Sequence, residues 1–255
     1  MTLLGHLDQA GLIPEQALGA LLVGSQARGW QHARSDLDVV VVSPNTWTAT
    51  VQSQQPVALT QSSIGVAVTA VDGVLCEVKY WTEAQILEML DKVSWAAWDA
   101  GNAGAALSTN EAYLIERLPH AVALVGAEWA NDITDRLRDS AALSSFALAC
   151  LTRADYSLDD VSGLWQSGDV RSALLAAQRA FVHVTDALTA SLGSPGTDSK
   201  WRLRRVESVN SDTLTADEFW RLTTMQDFDA QQPESWLNLL VYRCSQIMLD
   251  VRLGR

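Results

Sequence analysis

The chain has 255 residues, 48% of them hydrophobic and 19% charged, a composition that supplies one or two globular domains and excludes a disordered or low-complexity chain. With 18 Lys and Arg against 30 Asp and Glu, the formal charge of -12 repels a phosphate backbone and argues against nucleic acid as a partner. Cys76, Cys150 and Cys244 are odd in number and widely spaced, which indicates neither a disulfide framework nor a zinc site. The start of the chain lacks a basic stretch before a long apolar core, and no run approaches the roughly 18 apolar residues of a membrane span. The expectation is a cytoplasmic protein with no membrane partner.

In chain order, Ala20 to Val23 and Leu37 to Ser43 are apolar, and the continuous Val39 to Val42 run has the character of a strand buried on both faces. Both read as central strands. Ser63 to Ala70 and Val74 to Tyr80 flank Val71-Asp72-Gly73, which predicts a hairpin. Thr82-Glu83-Ala84-Gln85 then has the form of a capping box and opens a helix where the sheet ends. Ser108 to Glu111 and Thr215 to Glu218 have the same form and start two more helices.

Nearly everything after Ala105 carries helical periodicity. The spacing predicts helices over Ala141 to Val161, over Asp169 to about Leu192 with Leu174, Ala177, Phe181, Val184 and Leu188 on one stripe, and over Glu234 to Leu253 with Trp236, Leu240, Ile247 and Met248 inward. The fold class is therefore α+β, with a mixed-sheet domain over residues 1–105 and a helical bundle over 106–255. Acid excess lies mainly in the first part, with 5 basic and 13 acidic residues through Ala130.

The chemistry concentrates in Leu21 to Ser43, which reads as strand, small-residue turn, polar linker and an acid pair opening a second strand. Gly24-Ser25 at a strand end offers bare backbone amides and a hydroxyl to an anion. Asp36 and Asp38, read as two apart on one strand, would project from one face roughly 6 to 7 Å apart. Two carboxylates beside an all-Val strand repel each other unless a cation compensates them, which points to a metal site. On the strand Val74 to Tyr80, alternation places Leu75, Glu77 and Lys79 opposite Cys76 and Val78, so Glu77 is a carboxylate inside an apolar segment. Asp72 and Glu83 are the other acids close to this strand. The P-loop, HExxH, GxSxG and GxGxxG patterns are all missing.

Gly24-Ser25, ten residues, then Asp36-Leu37-Asp38 and a Val run resembles the signature of the DNA polymerase beta type nucleotidyltransferase superfamily. The resemblance implies that Gly24 and Ser25 hold the phosphates of ATP or another nucleoside triphosphate, with Arg28 and Ser35 as further phosphate candidates. It also implies that Asp36 and Asp38 bind two Mg²⁺ and that Glu77, as base, metal ligand or both, completes a three-acid set. The length and domain order are similar to the aminoglycoside (streptomycin and spectinomycin) adenylyltransferases, in which a helical bundle follows the core. That likeness implies transfer of AMP from ATP to a hydroxyl of a small molecule in the interdomain cleft, with an aminoglycoside-like antibiotic as one such acceptor. Pro195 to Arg205 resembles the segment of that group that sends a Lys to the triphosphate, which makes Lys200 the candidate. Trp98-Asp99 is a candidate stacking pair for base or acceptor. Arg179, His183 and Asp186 align at i, i+4 and i+7 and read as a surface network. Two other readings stand beside this one: a toxin-antitoxin type enzyme that modifies protein or RNA, and a non-catalytic nucleotide-binding module.

Overall fold

The computed structural model describes residues 2–102, 107–196 and 198–255. The chain separates into two compact units, Met1–Ser140 and Ala141–Arg255. The division expected between 105 and 106 falls outside the described residues, and the first unit runs on to Ser140 because a further strand and two further helices belong to it.

The first unit opens with α1 (Leu3–Gln9), capped by the Thr2 hydroxyl, which accepts from Gly5 N. Its sheet is formed by β1 (Gly19–Val23), β2 (Leu37–Ser43), β3 (Ser53–Pro56), β4 (Ser63–Val71), β5 (Val74–Thr82) and β6 (Val122–Val125), in the spatial order β3-β4-β5-β2-β1-β6. β2 pairs antiparallel with β1 and parallel with β5, so the sheet is mixed and the Val run lies in its centre. Val39 and Val41 pack with Leu7, Leu12, Ala67, Cys76 and Val78 on one face, while Val40 and Val42 are buried as well. That double burial is why the run is continuously apolar rather than alternating.

β4 and β5 are joined by Asp72-Gly73, both at positive φ (49° and 82°), the backbone that a two-residue hairpin turn needs. Two strands went unforeseen. β3 is polar and ends at Pro56 on one edge of the sheet, where a proline costs no ladder hydrogen bond. β6 is a four-residue segment that pairs antiparallel with β1 on the other edge, so the sheet does not end at β5.

Helices α2 (Gly24–Ala27), α3 (Glu83–Lys92), α4 (Trp95–Ala97), α5 (Thr109–Arg117) and α6 (Ala127–Arg138) complete this unit. α3 begins with the expected capping box, in which Thr82 and Gln85 satisfy each other's backbone. α5 is capped by Ser108, and its Glu111, fully buried, accepts from Ala58 N and from Lys92 Nζ at 2.9 Å. Burial alone would push the Glu111 carboxyl up, but the bonds from Ser108, Lys92 and Ala58 bring it below the usual carboxylate value. Glu111 thereby ties the start of α5 to α3 and to the loop after β3.

The second unit holds α7 (Ala142–Gln166), α8 (Val170–Ser191), α9 (Arg202–Val209), α10 (Ala216–Thr223) and α11 (Pro233–Asp250). α8 starts on the side chain of Asp169, and its expected stripe of Leu174, Ala177, Phe181, Val184 and Leu188 is buried against Trp236, Leu240, Cys244 and Ile247 of α11. No helix among the described residues is long and apolar enough to cross a membrane. The three cysteines are free and buried, with their thiols pushed up by burial to about 11 at Cys76 and Cys150 and about 12 at Cys244.

Candidate active site

Strand register brings the sequence motifs together. Val23, the last residue of β1, lies opposite Asp38 of β2, and Asp38 lies opposite Glu77 of β5 in the parallel pairing. The Gly24-Ser25 turn that leaves β1 is thus adjacent to Asp38, and Glu77 stands beside it on the same face of the sheet. Gly24 has φ +73°, and a Cβ built on it would come within 2.2 Å of Asp38 Oδ2. Glycine is required there twice, for the left-handed backbone and for the space the carboxylate fills.

Asp38 is half-buried, and its nearest cation is Arg117, with Nη1 3.7 Å from Oδ1. Burial pushes its carboxyl above the usual 3.8, and the negative charges of Asp36 and Glu77 push the same way, while Arg117 and Lys79 pull it back. Glu77 pairs with Lys79, two residues on along the same face, at 3.2 Å. Asp36 is exposed and precedes β2 rather than lying on it. The expected pair on one strand is therefore a loop acid and a strand acid, because the turns at His32 to Ser35 run directly into β2.

Three carboxylates offer hard oxygen donors, the chemistry that Mg²⁺ takes. Among the described residues no three acidic, imidazole or thiol groups are gathered closely enough to hold an ion as they stand; Asp38 and Glu77 turn instead to Arg117 and Lys79. By donor chemistry Asp36, Asp38 and Glu77 would suit a hard divalent cation, and Asp38 and Glu77 would have to leave Arg117 and Lys79 to hold one.

The other expected site residues fall in different places. Ser25 lies in α2, directly after Gly24. Arg28 donates from Nη2 to Glu116 O at 2.9 Å and lies 4.6 Å from the Trp30 ring centre, so it ties the Gly-Ser turn to the end of α5. Ser35 is buried and its Oγ accepts from His32 N at 2.9 Å, which closes the linker on itself. Asp72 sits in the hairpin turn beside His6, and Glu83 opens α3. Neither is at the junction of Gly24, Asp38 and Glu77. Lys200 belongs to the second unit; it is exposed, pairs with Asp198 at 3.3 Å and lies over the Trp201 ring. Trp98 meets Trp95 edge to face with ring centres 6.1 Å apart.

No family model and no curated protein matches the chain. Among solved structures, a nucleotidyltransferase-like protein from Exiguobacterium sibiricum 255-15 is similar over 95% of this chain and 72% of that one, with a TM-score of 0.51 and 12% identity. The chain shares the fold of that protein. At this identity the likeness is one of architecture, an α+β chain with a mixed six-stranded sheet and a helical C-terminal region.

Within the first unit, sequence reasoning missed Arg117. A basic residue in the last turn of a helix ordinarily complements the helix dipole, and nothing in its neighbourhood along the chain distinguishes it. Asp186 was also misplaced. It is buried in α8 and accepts from Arg202 Nε at 2.8 Å, Arg202 Nη2 at 2.9 Å and Arg205 Nη2 at 3.0 Å, whereas Arg179 pairs with Asp160 at the surface. The basic cluster of Pro195 to Arg205 thus divides into structural arginines turned inward and the exposed Lys200 and Arg204.

Proposed function

We propose that this protein is a cytoplasmic nucleotidyltransferase that moves the nucleoside monophosphate of a triphosphate, AMP from ATP, onto a hydroxyl of a small molecule. The single observation that carries this reading is the junction at Asp38, where a left-handed glycine turn, a strand acid and a third acid in register meet at the end of the central strands. A glycine whose Cβ position is filled by an acid belongs to a turn built to bring backbone close to a carboxylate and to whatever that carboxylate binds.

In this reading Gly24 and Ser25 offer backbone amides and a hydroxyl to the triphosphate, and Asp36, Asp38 and Glu77 would hold Mg²⁺. The metal, when bound, neutralises charge on the phosphates and lowers the pKa of the acceptor hydroxyl. Glu77, on the same sheet face as Asp38, would take the proton of that hydroxyl as the α-phosphorus is attacked and pyrophosphate departs. Lys200 remains a candidate for the departing pyrophosphate. An acidic first unit suits a cationic acceptor, an aminoglycoside-like antibiotic among them, which would make the activity one of antibiotic resistance.

The position of Glu77 opposite Asp38 supports an enzyme over a non-catalytic module, and the net charge of -12 supports a small-molecule acceptor over RNA. The test is transfer of radiolabelled α-phosphate from each nucleoside triphosphate to pools of small molecules, RNA and protein, in the presence of Mg²⁺. Transfer to a small molecule that falls roughly 10²- to 10⁴-fold in Glu77→Gln, the usual contribution of a positioned base, is the expected result. Label that enters protein or RNA would replace the acceptor assignment, and no transfer to any pool would remove the enzyme.

A further inference from the structure

We propose that Arg117 serves two anions in turn: the Asp38 carboxylate before a divalent cation arrives, and the nucleotide polyphosphate once that cation has taken Asp38. This rests on the nucleotidyl-transfer reading and adds to it a residue that no sequence motif marks.

The case begins with how α5 is held. Its first turn is tied down by buried Glu111, bonded to Ala58 N and Lys92, and its last turn by Arg28, which donates from the C-cap of α2 to Glu116 O at 2.9 Å. The residue after that carbonyl is Arg117. The short helix that contains Gly24 and Ser25 is therefore bonded through its C-cap to the backbone that presents Arg117, and the guanidinium is delivered to Asp38 by a structure fixed at both ends.

The contact itself is loose. At 3.7 Å it lies beyond the 2.7–3.2 Å of a good N–H···O bond, so the attraction is coulombic and no pair of parallel bonds must be broken to release it. While it faces Asp38 the guanidinium also lies over the Tyr113 ring, 5.2 Å from its centre and one turn back along the same helix, a contact that does not depend on the carboxylate. Arg202 on Asp186, with bonds of 2.8 and 2.9 Å, is what a permanent pairing in this protein looks like.

Charge completes the argument. A divalent cation on Asp38 would repel Arg117 from the same carboxylate, and a polyphosphate on the Gly24-Ser25 turn would place several negative oxygens beside the released guanidinium. The planar fork of an arginine matches phosphate oxygens as it matches a carboxylate. A residue that merely complements the dipole of α5 would have no effect on either ligand.

The test uses the full chain as wild type, Arg117→Met and Arg117→Lys, with Mn²⁺ binding followed by electron paramagnetic resonance and ATP binding, at saturating Mn²⁺, by calorimetry. Loss of the competing cation should tighten Mn²⁺ binding without nucleotide by roughly 3- to 10-fold in Arg117→Met and weaken ATP binding by about 10-fold or more. Arg117→Lys keeps the charge and loses the fork; it should bind Mn²⁺ within about twofold of wild type and ATP more weakly, and it carries the test if Arg117→Met fails to fold. Unchanged or weaker Mn²⁺ binding in Arg117→Met, or unchanged ATP binding in both variants, overturns the proposal while leaving the enzyme reading intact. Wild type that binds neither Mn²⁺ nor ATP, or Asp38→Asn that binds both like wild type, removes the reading and the proposal together.

Discussion

Asp38 and Asp186 are both largely withdrawn from water, with 18% and 11% of their side chains exposed, yet the protein treats them in opposite ways. Asp186 receives three short bonds from two guanidiniums, and Arg205, itself buried, extends the network by donating to Asp198 O at 2.9 Å. It is a staple that fastens α9, and through Arg205 the segment before it, to α8. Asp38 has one cation at 3.7 Å and two further acids acting on it. Asp186 has its charge met by short bonds, as a structural group does, whereas Asp38 is met only by looser coulombic contacts, the kind of environment in which functional carboxylates are found.

The comparison is sharpest at Asp186. Replacing it with Ala leaves Arg205 buried and uncompensated, and we expect a loss of about 3–5 kcal/mol, the usual result of breaking a buried ion pair on one side. Urea unfolding measures this directly, and a loss below about 1 kcal/mol would show that the arginines find other partners and that the staple is dispensable.

Gly24→Ala attacks the other acid from its neighbour. The added methyl meets Asp38 Oδ2 at 2.2 Å on a backbone with φ +73°, so a destabilisation of about 1–3 kcal/mol is expected. Asp38→Ala in the same chain removes the clash and should restore part of that loss. No recovery in the double variant would mean that backbone strain alone accounts for the effect.

Asp38→Asn should move stability the other way. Because folding raises this carboxyl above 3.8, the folded state resists its ionisation. The group is cost-free below the unfolded value, and stability is lost as pH rises from there through the folded value, with the full penalty present above it. Asparagine removes the penalty, so the metal-free variant should be more stable than wild type near neutral pH, and the advantage should vanish on acidification. Thermal melts in EDTA across that range test the sign. A variant less stable than wild type at neutral pH would place Asp38 with Asp186 as a structural group.

The smallest stability effect belongs to Lys200. Its pairing with Asp198 is at the surface, and Lys200→Ala should change stability by about 0.5 kcal/mol or less. Its value lies in separating stability from nucleotide use: a fall in kcat/KM for ATP without a change in melting temperature is expected if the lysine meets the triphosphate. Unchanged kcat/KM would confine the nucleotide site to the first unit.

Much of the local structure was legible because its causes are local. The buried Val39 to Val42 run, the Asp72-Gly73 hairpin turn and the capping hydroxyls of Thr82, Ser108 and Thr215 all express preferences of a few adjacent residues, and each element formed where those preferences put it. The spacing of Gly24 to Asp38 was legible too, since a turn, a linker and a strand of given lengths must return the chain to its starting edge. β3 and β6 were not, because short edge strands take their form from the neighbour they pair with; Ser53–Pro56 carries no strand preference of its own.

What the sequence by itself determined is the inventory: which strands are central, which helices begin where, and that a glycine turn and a set of acids stand at strand ends. Only the tertiary structure decided which charges meet. Arg117 reaches Asp38 from 79 positions along the chain, and Arg202 and Arg205 reach Asp186 across the turn between two helices. Pairings of this kind depend on how whole elements dock, so alignment at i, i+4 and i+7 sent Asp186 to the wrong partners and gave Arg117 none. Backbone preferences act over a few residues, whereas the electrostatics of a site is summed over every element brought within a few ångströms of it.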